Sequence, residues 1–179
     1  MKNLDWCIYT YKHRRMFVYI AKKLIKDEAL LGSILERAKT HDVDKLLMYM
    51  SLDQRISQEH HVLIRPHHLE CKAEKCYEDL LETVIDYECS PYTKPDKPLN
   101  AYDFLNKLLD MKLVEKDIAD RLFSIMHELG IDSSYSVLDD TEGMAYAGSL
   151  TGITEEMIME EIADYKDPEI EDFIKANIK

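Results

Sequence analysis

Apolar side chains recur three and four positions apart along most of this chain, and that spacing places them on one face of an α-helix. The first such stretch, residues 11–26, lines up His13 with Phe17 and Ile20. The second is predicted to begin at Asp27, because acidic side chains favour a helix N-terminus. The same spacing predicts the remaining helices, over residues 27–50 with a break near Thr40, 52–63, 66–89, 101–111, 115–129 and 154–165, and after Pro168. The pattern therefore predicts an all-α fold.

Glycine and proline are scarce, which agrees with long helices. The 179 residues include five of each, about half of their usual combined frequency. A β-sandwich or barrel needs many more turns, so the composition argues against an all-β fold. Three of the five prolines fall at residues 91–98, and proline disrupts a helix interior. We therefore predict a junction there, between a helical core at residues 1–93 and an acidic helical extension at residues 94–179, with one single domain over residues 1–179 as the alternative.

The net charge of −12 is unevenly distributed. Residues 94–179 carry nine basic and 20 acidic side chains, whereas residues 1–93 are nearly neutral. Nonspecific binding to duplex nucleic acid needs a basic surface, so we do not expect a nucleic-acid partner. The near-neutral part can still bind a small phosphorylated molecule. No apolar run reaches the roughly 18 residues of a membrane span, and residues 1–5 lack a signal-peptide core, so the expected location is the cytoplasm.

Six of the seven histidines lie between residues 13 and 68, several of them beside acidic residues. Imidazole and carboxylate groups together suit first-row transition metals. On the predicted helices His13, His41, Asp42 and His60 continue the apolar faces, and a buried carboxylate without a partner is costly. Each residue alone is also explained as a singly hydrogen-bonded core histidine or, for Asp42, as a helix cap. Taken together, they favour a metal site.

Lys45 follows His41 by four residues, which places it on the same helix face one turn later. A cation beside a metal site can bind a phosphate group or developing negative charge. The alternative is a solvated lysine paired with Asp42 or Asp44. Lys45 is therefore a candidate substrate-binding or catalytic residue.

The candidate residues occur in a definite order: His13, the HDxxK segment 41–45, His60 or His61, His67-His68, and Asp86. This order resembles the HD superfamily of metal-dependent phosphohydrolases. The HDxxK form looks like the HD-GYP branch, although the chain has no GYP tripeptide. The stretch from His13 to the ETVIDY segment at residues 82–87 is similar to a small HD-like family of bacteria and phages. The resemblance covers residues 10–105.

The resemblance implies an all-α, HD-like helical bundle with a C-terminal helical extension, holding one or two divalent ions (Mn, Fe, Ni, Co or Zn). It assigns one ion to His13, His41, Asp42 and Asp86. It assigns a second ion to His60 or His61 with His67 and His68, bridged to the first by Asp42. In this scheme metal-bound water attacks phosphorus, with Asp42 and Lys45 as the catalytic residues.

Asp86 constrains the fold, because it follows His68 by 18 residues, about 27 Å on one unbroken helix. A shared site therefore requires the chain to break between Glu70 and Tyr77. The alternative for Asp86 is a solvated, salt-bridged helix face. That face would comprise Lys72, Lys75, Asp79, Glu82 and Asp86.

The expected function is hydrolysis of a small phosphoester or nucleotide, and two alternatives stay open. In the first, the bundle is a non-catalytic binding or adaptor protein. Its acidic C-terminal helices would then bind a basic protein through Glu155, Glu156, Glu160, Glu161 and Asp164. In the second, the same ligand set holds the two irons of an HD-like oxygenase.

Overall fold

The computed structural model describes residues 1–94, 96 and 98–178, and all regular secondary structure among these residues is helical. A short 3-10 helix spans Val137–Asp139. The α-helices are α1 (Leu4–Leu24), α2 (Glu28–Ala38), α3 (Val43–Tyr49), α4 (Gln54–Ile64), α5 (Tyr77–Thr93), α6 (Ala101–Asp110), α7 (Lys116–Glu128), α8 (Thr141–Ser149), α9 (Glu155–Ile162) and α10 (Pro168–Asn177). The all-α prediction is confirmed. None of these helices combines the length and apolarity that a membrane crossing requires.

The largest hydrophobic cluster forms around α1 and α5. It combines apolar side chains from α1, α2, α5, α6 and α7, among them Phe17, Ile20, Ile34, Leu81, Ile85, Leu105 and Leu122, all at most 1% exposed. Side chains from before and after the proline-rich stretch therefore share one core. Pro95 and Lys97 of that stretch lie outside the described residues.

Two smaller clusters hold the C-terminal helices against α3. Ile158 and Ile162 of α9 pack with Tyr11 of α1 and Leu46 of α3. The other cluster joins α10 to α3 through Ile170, Ile174, Met48 and Leu52. Since α3 directly follows His41-Asp42, both C-terminal helices support the segment that carries this pair.

The predicted start of the first helix is wrong, whereas the predicted bounds of the second are confirmed. Helix α1 begins at Leu4 rather than at residue 11, because the inward face continues backwards through the buried Cys7 and Thr10. Helix α2 begins where predicted, with the Asp27 side chain accepting a hydrogen bond from the Leu30 amide. It ends at Ala38, so the break near position 40 is present.

Pro66 does not begin a helix, and residues 65–76 are irregular up to the start of α5. Side chains donate to three carbonyl groups of this segment. The Lys75 ammonium donates to the carbonyl oxygens of Pro66 and His68, at 2.6 and 2.7 Å. The Thr83 hydroxyl donates to that of His67 at 2.6 Å. The break that a shared site requires between Glu70 and Tyr77 is therefore present.

Pro91 corrects the prediction that the three prolines at residues 91–98 lie outside helices. It is buried in the last turn of α5, which continues to Thr93. Pro91 has no N–H to donate to the carbonyl oxygen four residues earlier, and the helix continues for only two residues beyond it.

Candidate metal centre

Five separate segments bring histidine and aspartate side chains to one buried place between α1 and α5. Helix α1 supplies His13, the turn after α2 supplies His41-Asp42, and α4 supplies one histidine. The irregular segment supplies a pair of histidines, and α5 supplies the last aspartate. The residues brought together are His13, His41, Asp42, His61, His67, His68 and Asp86.

The turn between α2 and α3 orients Asp42 in an unusual way. Asp42 has a left-handed backbone conformation with φ of 59°, which is uncommon for residues other than glycine although aspartate tolerates it. The Arg14 guanidinium holds the turn by donating to the carbonyl oxygens of His41 and Lys39. His41 and Asp42 therefore do not continue the α2 face as predicted, yet both are only 3% exposed.

A first group of potential ligands lies on the α1–α5 side. His13 Nε2 is 2.7 Å from Asp86 Oδ1 and 3.9 Å from Asp42 Oδ2. His41 Nε2 is 4.0 Å from the same Asp42 oxygen and 3.9 Å from Asp86 Oδ1. We call these four side chains the first group, and they coincide with the set that the resemblance implies for one ion.

A second group lies on the other side of Asp42. His61 Nε2 is 3.1 Å and His67 Nε2 is 3.8 Å from Asp42 Oδ1. His68 Nε2 lies 2.8 Å from His61 Nε2. Asp42, His61, His67 and His68 each offer one ligand atom within 4.8 Å of the others, and we call them the second group. Each oxygen of Asp42 thus faces a different group.

Two buried carboxylates contact the Nδ1 atoms of three of these histidines, on the side of each ring that faces away from the centre. Glu82 Oε1 lies 2.9 Å from His41 Nδ1 and 3.1 Å from His67 Nδ1. Asp44 Oδ2 lies 2.8 Å from His61 Nδ1. A carboxylate on the outer nitrogen fixes the tautomer and ring orientation of a metal-ligating histidine. In all three rings it directs Nε2 towards the centre.

Neither Glu82 nor Asp44 was among the candidate residues from the sequence. Each acts through a histidine, so its contribution depends on tertiary contacts. The available signals were the position of Glu82 four residues before Asp86 and the repeat of aspartate in residues 42–44. Arginines complete the network: Arg37 Nε donates to Glu82 at 2.7 Å, and Arg65 Nε donates to Asp44 at 2.8 Å.

Three buried polar atoms at the centre lack a hydrogen-bond partner: His41 Nε2, His67 Nε2 and Asp42 Oδ1. Two others, on Asp44 and His60, lie outside the two groups. A buried polar atom without a partner is costly, and all three central atoms are good metal ligands. Ligands bound at about 2.1 Å from an ion lie about 3–4 Å apart; the separations from Asp42 are 3.1–4.0 Å, whereas the His13–Asp86 and His61–His68 pairs are closer, at 2.7 and 2.8 Å. The two groups therefore fit divalent metal ions.

The electrostatics of the centre favour neutral imidazole at His41 and His68 beside an ionised Asp42, whereas His67 favours its protonated form. Burial lowers the pKa of His41, and burial together with His67 and Lys45 lowers that of His68 well below its usual value. Burial would raise the pKa of Asp42, but Lys45 and the neighbouring histidines hold it well below its ordinary value. For His67, the carboxylates of Asp42 and Glu82 outweigh burial and raise the pKa to about 9.

His60 is not part of either group. Its ring stacks on Phe173 of α10 with centroids 3.6 Å apart. The inward face of α4 consists of Ser57 and His61, whereas Leu63 is 59% exposed. The prediction that His60 lies on an apolar inward face is wrong, because α4 turns a polar face to the centre rather than an apolar face to the core.

The alternative of a solvated face for Asp86 is also wrong. Asp79, Glu82 and Asp86 are at most 8% exposed, and Lys75 is equally buried. The Lys45 ammonium lies 2.9 Å from Asp42 Oδ2, so the predicted pairing of Lys45 with Asp42 is present. The lysine is not solvated, however, because its side chain is only 12% exposed.

Cys89 adds a thiol next to the first group. Its sulfur lies 3.7 Å from His13 Nδ1, and one ligand atom each from His13, Asp86 and Cys89 meet within 4.8 Å. Burial raises the pKa of this thiol well above its ordinary value. Since the thiolate is the form that ligates metals, the neutral thiol is a poorer ligand than the carboxylates.

An open cleft of about 290 Å³ leads from solvent to the centre. Asp42, His13 and Asp86 form part of its lining, and Lys45 projects into it. Its walls are rich in aromatic and amide side chains: Trp6, Tyr9, Tyr49, Gln54 and Gln58. The centre is thus both buried enough to hold ions and open enough to receive a small ligand.

Comparison of the chain with models of protein families, with curated proteins and with solved structures found no match.

Proposed function

We propose that this protein is a metal-dependent phosphohydrolase of the HD type, acting on a small phosphoester or nucleotide with two divalent transition-metal ions bound. The observation that carries the proposal is the arrangement of two groups of ligands that share the two oxygens of Asp42 at the end of an open cleft. Two-metal sites of this kind are suited to displacement at phosphorus, since they bind both the attacking and the leaving oxygens.

The ions, when bound, would lower the pKa of water towards neutrality and polarise a phosphoryl oxygen. The chain itself would orient the ligands and bind the substrate. Glu82 and Asp44 would hold the imidazole rings of His41, His67 and His61 with Nε2 inward. Lys45 would contact a phosphate oxygen, because its ammonium already lies at the inner end of the cleft beside Asp42.

Metal content and hydrolysis together test this proposal. The full chain is stripped with chelator and reloaded separately with Mn, Fe, Ni, Co or Zn, and bound metal is measured by mass spectrometry. Hydrolysis is followed with 4-nitrophenyl phosphate, bis(4-nitrophenyl) phosphate and a nucleotide panel. We expect about two ions per chain and metal-dependent hydrolysis, both lost in Asp42→Asn. The control Asp172→Asn, at an exposed position of α10, should retain both.

Failure to retain metal, or retention without hydrolysis of any phosphoester, would overturn the proposal. Oxygen consumption by the iron-loaded protein in place of hydrolysis would instead assign the oxygenase alternative.

A further inference from the structure

A second cavity, of about 440 Å³, adjoins the cleft at the candidate metal centre. We call it the side cavity. Its wall is mainly apolar, through Tyr87, Pro91, Pro98, Leu99 and Phe104, and also carries the charged Asp96 and Lys107. Ser90 and Lys94 line both the side cavity and the cleft. The two spaces therefore border the same residues at the C-terminal end of α5.

The junction lies close to the first group. Ser90 follows Asp86 by four residues, about 6 Å along the helix axis, and its hydroxyl donates to the Asp86 carbonyl at 3.0 Å. The Lys94 ammonium lies 4.6 Å from the centroid of the Tyr9 ring, and that ring stacks on His13 at 6.0 Å. Ser90, which lines both spaces, thus lies one helical turn from a ligand of the first group.

The side cavity has the composition of a ligand-binding site rather than of an ordinary surface groove. Tyr87 of α5 and Phe104 of α6 pack edge to face with centroids 4.8 Å apart, and Pro91 is buried. Tyr87, Pro91 and Phe104 belong to packed helices, so this part of the wall is preformed, whereas Pro98 and Leu99 lie in the segment before α6. Small-molecule sites are typically about 300–1,000 Å³ in volume, mostly apolar, with a few polar groups that set orientation.

We propose that the side cavity binds the apolar part of an organic phosphoester whose phosphate group lies in the cleft. The inference rests on the proposed function and adds a substrate class to it. The substrate would be a soluble phosphoester whose alcohol carries an extended apolar group, long enough to pass Ser90. The phosphate would remain near Lys45 and the metal centre, while the apolar group lies against Leu99 and Phe104.

Binding of non-hydrolysable phosphonates to the zinc-loaded full chain tests the proposal by calorimetry. The probes are methyl-, butyl- and octylphosphonate, used well below any micelle concentration. Full burial of one methylene contributes about 0.8 kcal/mol, or about fourfold in affinity. We expect octylphosphonate to bind at least tenfold more tightly than methylphosphonate, with most of the gain arising beyond the butyl length.

Two wall variants show where the apolar chain binds. Leu99→Gln, at a position 37% exposed, should reduce the octyl-to-methyl affinity ratio severalfold and leave methylphosphonate binding unchanged. Phe104→Ala should do the same if it folds, which circular dichroism checks. Leu138→Gln, at a position 43% exposed on another part of the molecule, is the matched control and should leave the ratio unchanged.

An affinity ratio near one in the wild type, or a ratio that Leu99→Gln does not alter, would overturn this inference. Either result with metal-dependent hydrolysis intact would leave the proposed function standing. Conversely, if the protein bound octylphosphonate more tightly than methylphosphonate in a Leu99-dependent way and yet hydrolysed no phosphoester, the proposed function would be overturned. The side cavity would then be retained as a binding site for apolar anions.

Discussion

At the scale of single residues, Glu82 links the two groups, since its one carboxylate contacts His41 of the first group and His67 of the second. Replacing it by glutamine keeps the size but removes the charge that orients both rings. Loss of such a contact typically weakens metal binding about 10–100-fold. We therefore expect Glu82→Gln to lower the binding affinity for both ions. Competition with a chromophoric chelator measures this change.

The control for this prediction is Glu74→Gln, at an exposed position of the irregular segment. It should bind metal as the wild type does. If Glu82→Gln lowered the affinity for one ion only, Glu82 would not act on both groups.

Lys75 is a positioning residue for the pair His67-His68. Its ammonium donates to the carbonyl oxygens of Pro66 and His68, and a lost partner for a buried carbonyl costs about 1–3 kcal/mol. We expect Lys75→Met to lower the metal content from about two ions to about one, because the second group depends on this segment. In Lys75→Arg, the metal occupancy of the second group should be partly restored.

The neighbouring exposed Lys72 provides the matched control. Lys72→Met should keep both ions. If Lys75→Met lowers the thermal midpoint yet binds two ions with wild-type affinity, Lys75 is only a structural residue.

The resemblance named the side chains that the structure brings together in the two groups, but it did not decide between His60 and His61. That decision depends on which face of α4 turns inward. The apolar residues Ile56 and Leu63 suggested the wrong face, since the inward side is lined by Ser57 and His61. Glu82 and Lys75 were missed for a related reason: each acts on another residue's position, and only the fold brings them together.

At the scale of elements, the spacing of apolar residues predicted most helices, because each of these helices buries an apolar face. In two irregular segments polar tertiary contacts replace backbone hydrogen bonds of a helix. Arg14 holds the turn at residues 39–42, and Lys75 with Thr83 holds the segment at residues 65–76. The break near residue 40 was predicted, whereas the second segment was predicted as helix, and both carry candidate ligands.

Helix α9 supports the first group through a chain of ionic contacts. Glu161 accepts hydrogen bonds from Arg14, at 2.6 Å, and from Arg15, and Arg14 in turn donates to the carbonyl oxygen of His41. We expect Glu161→Gln to weaken metal binding severalfold, since a freed Arg14 no longer fixes the turn. Equilibrium dialysis with zinc measures the change.

Glu160, the adjacent exposed residue, supplies the control, and Glu160→Gln should behave as the wild type. The same pair tests the binding-protein alternative. If the acidic face of α9 served a basic partner, Glu160→Gln and Glu161→Gln would weaken partner capture alike and leave zinc binding unchanged.

At the scale of the whole molecule, the candidate centre joins five segments that are distant along the chain, from His13 to Asp86. The C-terminal helices reinforce the same centre, because Asp167 at the start of α10 binds Arg65 at 2.8 Å and Arg65 binds Asp44. Part of the acidic excess of residues 94–179 thus serves contacts within the chain. The charge distribution alone did not reveal this, since it does not say which acids meet arginines.

Metal binding to this centre should stabilise the entire fold. An ion that binds only the folded state at 100 times its Kd adds about 2.7 kcal/mol, and 1 kcal/mol shifts the midpoint of a chain of this size by about 2–4 °C. We therefore expect zinc or manganese to raise the thermal midpoint of the chelator-treated protein by about 5–10 °C, measured by scanning calorimetry. The unfolded chain separates the five ligand-bearing segments and cannot reproduce the site. Asp42→Asn should show almost no shift, because both groups share that carboxylate, whereas Asp172→Asn should show the full shift. An equal rise in Asp42→Asn would mean that the stabilising ion binds elsewhere.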